Sequence, residues 1–146
     1  PEVQGAYDLV LHNYGPDTWN GSIHIEVPDT CTANELDQLI RSIQMAVYQQ
    51  HQVILTAIGV YSVNTKDPET IEVREKVQEI VFAHPHVIQM HGFYLIKEEK
   101  SIRFDIVVSF DAKDRKAVYT DVVNDVQKAF PDYTLQVAMD TDFAEE

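Results

Sequence analysis

Cysteine is nearly absent from this chain of 146 residues: Cys31 is the only one. A single thiol forms no internal disulfide and builds no thiolate metal site, which favours a reducing compartment. Positive charge is also scarce. Lys and Arg number 11 against 24 Asp and Glu, a formal charge of −13, and so acidic a surface repels phosphate backbones, which argues against nucleic-acid binding. No apolar stretch approaches the ~18 residues of a membrane-spanning helix; the longest, residues 53–61, is broken by Thr56 and Gly59 and is strand-sized. The five glycines form no phosphate-cradling loop after a strand, and Ser, His and Asp show no triad context. Acid excess is compatible with a metal cation or a basic partner. The chain opens on Pro1-Glu2-Val3 without a charged-then-apolar leader, which reads as a fragment of something longer.

What is present is ordinary globular composition, 45% hydrophobic and 24% charged, laid out in clear periods. Residues 6–14 read as a strand ending at Gly15-Pro16-Asp17; Asn20-Gly21 carries a hairpin signal, and 22–27 (SIHIEV) alternates as a half-buried strand does. Thr32 and Glu35 have capping-box spacing, and Leu36, Leu39, Ile40, Ile43 and Val47 recur as on a helix. A strand at 53–62 follows. Pro68 starts a second helix, 87–97 and 101–110 form a hairpin, Val118 to Phe130 mark a third helix, and 134–143 is the last strand.

The order is β-β-α-β, then α-β-β-α-β. The expectation is an α+β protein of tandem ferredoxin-like or metallochaperone-like units, residues 1–63 and 64–146, the first lacking a leading helix, with helices on one face of each sheet. The halves repeat at an offset of roughly 81 to 84 residues: the run Val3 to Leu9 lies over Val87 to Phe93, and His24 over Asp105.

Asp140 and Asp142, two apart on a strand, share a face, and Asp105 alternates with Phe104 and Ile106 in the same way, beside Arg103. With His91 they make a mixed oxygen and nitrogen donor set suited to a divalent ion such as Zn, Mn, Fe or Co. The alternative for the same acids is solvated charge at strand ends. If strand 53–62 inserts between 101–110 and 134–143, Asp105 and Asp140 are roughly 10 Å apart. His84 and His86 flank Pro85 at a helix end, where histidine commonly caps carbonyls. His12, His51 and Cys31 read as structural or solvated.

Gly5-Ala6-Tyr7-Asp8-Leu9, Asn13-Tyr14-Gly15-Pro16 and Ser22-Ile23-His24-Ile25-Glu26-Val27 together resemble the "GxHDL…GP…xxHxEV" run of the cytoplasmic C-terminal domain of cation diffusion facilitator transporters. The resemblance covers about the first 60 residues, with the rest resembling a second copy. It implies a homodimeric, non-catalytic domain on the cytoplasmic side of the membrane, attached to transmembrane helices of the same polypeptide and binding a divalent transition metal, Zn or Mn foremost. On that pattern the family's first histidine falls on Tyr7, its second on His24, a helix histidine near Asp37, and the closing "HxD" about Ala57 to Gly59. In the second half the same positions fall on His91, Asp105 and Asp140-Thr141-Asp142, with only Tyr119, Thr120 and Asp121 in the helix region. His91, Asp105, Asp140, Asp142 and His24 are therefore the candidate metal ligands. Other readings of the scaffold are a sensor binding an organic molecule between subunits, or a dimerisation scaffold without metal.

Overall fold

The computed structural model describes residues 2–140. The chain is α+β and divides into two compact units, one running to Val63 and one starting at Asn64. Unit 1 contains β1 (Gly5–Asn13), β2 (Trp19–Pro28), α1 (Ala33–His51) and β3 (Val53–Val63); unit 2 contains α2 (Pro68–Phe82), β4 (Val87–Ile96), β5 (Ser101–Val108), α3 (Arg115–Ala129) and β6 (Thr134–Asp140). Each unit is ferredoxin-like, with a mixed three-stranded sheet: the first two strands pair antiparallel, and the third joins the second in parallel after a helical crossover.

The Asn20-Gly21 signal marks no turn. Both residues lie within β2, and the chain reverses at residues 14–18, where Tyr14 N–H donates to the Thr18 carbonyl and Thr18 N–H to that of Gly15. Glycine at 21 serves close packing instead: a Cβ there would lie 2.8 Å from Leu11 Cδ2 and 2.8 Å from the Val10 carbonyl oxygen across the strand pair. Thr32 caps α1 through the expected box, Glu35 N–H donating to Thr32 Oγ1 and Thr32 N–H to Glu35 Oε2.

The packed core lies in unit 2. The even-numbered residues of β5, Ile102, Phe104, Ile106 and Val108, all point to one face and meet Val77 and Val81 of α2 and Val122 and Val126 of α3. Both helices therefore cover one face, and the odd-numbered β5 residues Arg103 and Asp105 belong to the other. In unit 1 the buried apolar side chains among the described residues are Ile25, Val27 and Leu55, and α1 contributes none that is fully buried.

Candidate metal centre

The two sheets carry the same irregularity at the same place. β1 shifts register against β2 between Tyr7 and Val10, and β4 shifts against β5 between His91 and Tyr94. Such a bulge needs a residue tolerant of left-handed backbone just past the break. Gly92 takes that role in unit 2 with φ 63°, and Asp8 in unit 1 with φ 59°. Asp tolerates this region better than most side chains, at some cost relative to Gly. The residue before the bulge faces the middle strand: His91 opposite Asp105, and Tyr7 opposite His24.

In unit 2 the third strand completes the group. β6 pairs directly with β5, with no strand between them, and Asp140 lies opposite Val107. That register corrects the inserted-strand arrangement and its wide Asp105–Asp140 separation. His91 Nε2 stands 3.1 Å from Asp140 Oδ2 and 3.8 Å from Asp105 Oδ2. Donor atoms from the three residues all lie within 4.8 Å of one another. Donors bound at about 2.1 Å to one ion are themselves roughly 3.0 Å apart at octahedral and roughly 3.4 Å at tetrahedral angles; the His91–Asp140 separation falls in that range and the His91–Asp105 separation lies somewhat beyond it. The same 3.1 Å also accommodates a proton on Nε2 shared with Asp140. His91 and Asp105 are 2% and 3% exposed, which corrects the reading of Asp105 as solvated charge, while the Asp140 side chain keeps 34% of its surface in water. A carboxylate as buried as that of Asp105 requires compensation by a cation, a proton or hydrogen bonds. Part of it is Arg103, whose Nη2 lies 3.7 Å from Asp105 Oδ1.

Unit 1 fills the equivalent position differently. Asp8 Oδ2 accepts a 2.7 Å hydrogen bond from the Tyr61 hydroxyl and lies 3.1 Å from His24 Nδ1, while the His24 and Tyr61 rings stack 4.7 Å apart at 14°. Burial, and then the neighbouring Glu26 carboxylate, push the Tyr7 phenol above its ordinary value, so it keeps its proton and offers no phenolate to a cation. His24 thus sits among a carboxylate and two phenols, in the other unit from His91, Asp105 and Asp140.

The register also moves the third-strand equivalence. Gly59 lies opposite His24 and Ala138 opposite Asp105. Two residues onward, Tyr61 matches Asp140, which relocates the "HxD" position from residues 57–59. Asp142 lies outside the described residues. Tyr119 is structural, its hydroxyl donating to the Val137 carbonyl at 2.7 Å, and His84 is engaged with Asp125 at 2.9 Å. Sequence reasoning missed Asp8 and Tyr61 as partners of His24; the available signal was Asp8 itself, inside the run Gly5 to Leu9. Among the described residues no helix is long and apolar enough to cross a membrane. The chain matches no protein-family model, and a search of curated proteins finds no relative.

Proposed function

We propose that this chain is a non-catalytic, divalent-metal-responsive regulatory domain of the kind carried on the cytoplasmic side of cation diffusion facilitator transporters, acting as a homodimer. The observation that carries the reading is the group His91, Asp105 and Asp140, one imidazole and two carboxylates from adjacent strands of unit 2 at metal-ligand spacing. The donor set contains no thiolate, and its oxygen and nitrogen chemistry favours Zn or Mn over softer ions. Bound metal stabilises whichever state of the domain holds the three side chains together, by mass action.

The purely structural alternative draws support from the His91–Asp140 hydrogen bond, which satisfies both groups without an ion. A thermal melt of the chelated protein titrated with Zn²⁺, Mn²⁺ and Mg²⁺ separates the two, with Asp105→Asn/Asp140→Asn as control. A saturable rise with one transition metal, lost in the control, supports the metal reading. No rise, or a rise that survives in the control, defeats it. Sedimentation of the same samples with and without the ion tests the dimer.

A further inference from the structure

Arg103 stands two residues before Asp105 on β5 and on the same face of the sheet. Its guanidinium lies 3.7 Å from Asp105 Oδ1, while the other carboxylate oxygen, Oδ2, lies 3.8 Å from His91 Nε2. The two ends of this pair differ. The Asp105 side chain is 4% exposed and the Arg103 side chain 48%, so the carboxylate is fixed in the interior and the guanidinium reaches it from a half-solvated position. The counterpart position in unit 1, opposite Val10 as Arg103 is opposite Tyr94, is Ser22. The arginine therefore accompanies the paired carboxylates and is missing where Tyr61 takes the place of Asp140.

We infer that Arg103 is a built-in counter-cation of the His91, Asp105 and Asp140 site, neutralising it when no ion is bound and opposing the ion when one arrives, so that it sets the metal concentration at which the domain responds. The inference rests on the metal reading of that site. At 3.7 Å the contact is an ion pair and not a hydrogen bond, so it restrains the rotation of Asp105 little, whereas its charge, partly screened by water, still acts on the site. The long aliphatic stem lets the head move into water when a divalent ion takes over its role. Arg103 thus weakens metal binding more through its charge than it helps by orienting a ligand, the opposite of a hydrogen-bonded supporting residue, whose loss lowers affinity.

The test is calorimetric titration, at low ionic strength, of the ion that raises the melting temperature into wild type, Arg103→Gln, Arg103→Met and Arg103→Lys. Both neutral variants are expected to bind roughly tenfold tighter, a gain that salt reduces, since a unit charge a few ångströms away at a half-exposed site has about that effect. Arg103→Lys keeps the charge and binds as wild type does. Methionine retains most of the apolar stem, so the pair of neutral variants distinguishes lost charge from lost packing. Unchanged or weaker binding in both neutral variants overturns the inference. A lowered melting point of the chelated variants with unchanged affinity does the same, by assigning Arg103 to stability alone. If neither wild type nor the neutral variants bind any of the three ions, the metal reading itself falls. Binding by wild type without a gain in the variants overturns only the role of Arg103.

Discussion

Unit 1 and unit 2 are built on the same strand order, the same bulge and the same register beside it, yet they differ in what fills each face. On the helix-bearing face, unit 2 has α2 packed on β4, and Phe93 and Leu95 rest against the buried core. The corresponding β1 residues of unit 1, Leu9 and Leu11, are 42% and 44% exposed. On the other face, unit 2 gathers two carboxylates and an imidazole where unit 1 has a tyrosine, a histidine and a second tyrosine around Asp8. A shared backbone thus supports one unit stabilised by apolar burial and carrying a candidate ion site, and another held more by sheet pairing and a hydrogen-bonded group around Asp8. Fold equivalence leaves chemistry open; the side chains at three positions around a bulge decide it.

The largest effect that can break this comparison concerns the core. Phe104 is fully buried, and its counterpart on β2, Ile23, is half-buried. Phe104→Ala should lose about 3–5 kcal/mol of unfolding free energy to the cavity and the lost transfer term, and Ile23→Ala about 1–2 kcal/mol because less area leaves water there. Urea titrations of both variants measure this. Equal losses would mean that unit 1 is as tightly packed as unit 2.

A second effect sharpens the contrast in the sites. With metal at about a hundred times its dissociation constant, wild type should gain about 2.7 kcal/mol by linkage. His24→Ala should gain the same, since His24 belongs to the unit 1 group, whereas Asp105→Asn should gain almost nothing. Melting curves with and without the ion decide the matter, and loss of the gain in His24→Ala would place the ion outside the group of His91, Asp105 and Asp140.

Hydrophobic periodicity sufficed for the order of the nine elements among the described residues, because each helix and strand repeats apolar residues at its own period. Register was harder to read. Whether strand 53–62 would sit beside the second hairpin or complete its own sheet depends on long-range pairing, which a local pattern does not encode. Asn20-Gly21 reads as a turn because the dipeptide serves turns so often, while here the glycine makes room for Leu11 and the Val10 carbonyl. His91 and Asp105 were legible as a pair only by carrying the ligand positions that the family resemblance implies onto the second half of the internal repeat. Their burial was not, since alternation identifies the face a residue is on without saying how much water reaches it. Asp8 in the bulge escaped notice because its left-handed backbone carries no marker when the residue is not glycine.

The helix caps differ on a smaller scale. Thr32 and Glu35 cap α1 reciprocally, whereas at α3 Asp114 accepts a single 3.0 Å bond from Ala117 N–H. Thr32→Ala and Asp114→Ala should each cost ~1 kcal/mol. The loss at Thr32 should be the more visible in local hydrogen exchange, since α1 has no fully buried side chain to hold its first turn while Val122 and Val126 anchor α3. Equal exchange in the two variants would show that tertiary packing on α1 matches that on α3.

The smallest effect is electrostatic and belongs to unit 2. Asp67 precedes α2 and makes no side-chain cap; its carboxylate instead accepts from Lys97 Nζ at 2.6 Å and Thr70 Oγ1 at 2.7 Å, tying the start of α2 to the end of the β4–β5 hairpin. Those bonds, Lys97 first, draw its pKa from 3.8 down to about 2. A carboxylate depressed in the folded state binds its proton more readily when unfolded, so its contribution to stability is complete above about pH 3.8 and is lost as pH falls toward 2. The pair is partly exposed, Lys97 at 40% and Asp67 at 28%, and screened by salt, which keeps the contribution below that of a helix cap. Asp67→Asn should remove it: the stability difference between wild type and variant, measured by urea unfolding at low ionic strength, should be steady from pH 7 to about 4 and shrink toward zero near pH 2. A difference that stays constant across that window would mean that Asp67 contributes through the geometry of the α2 entry and not through its charge.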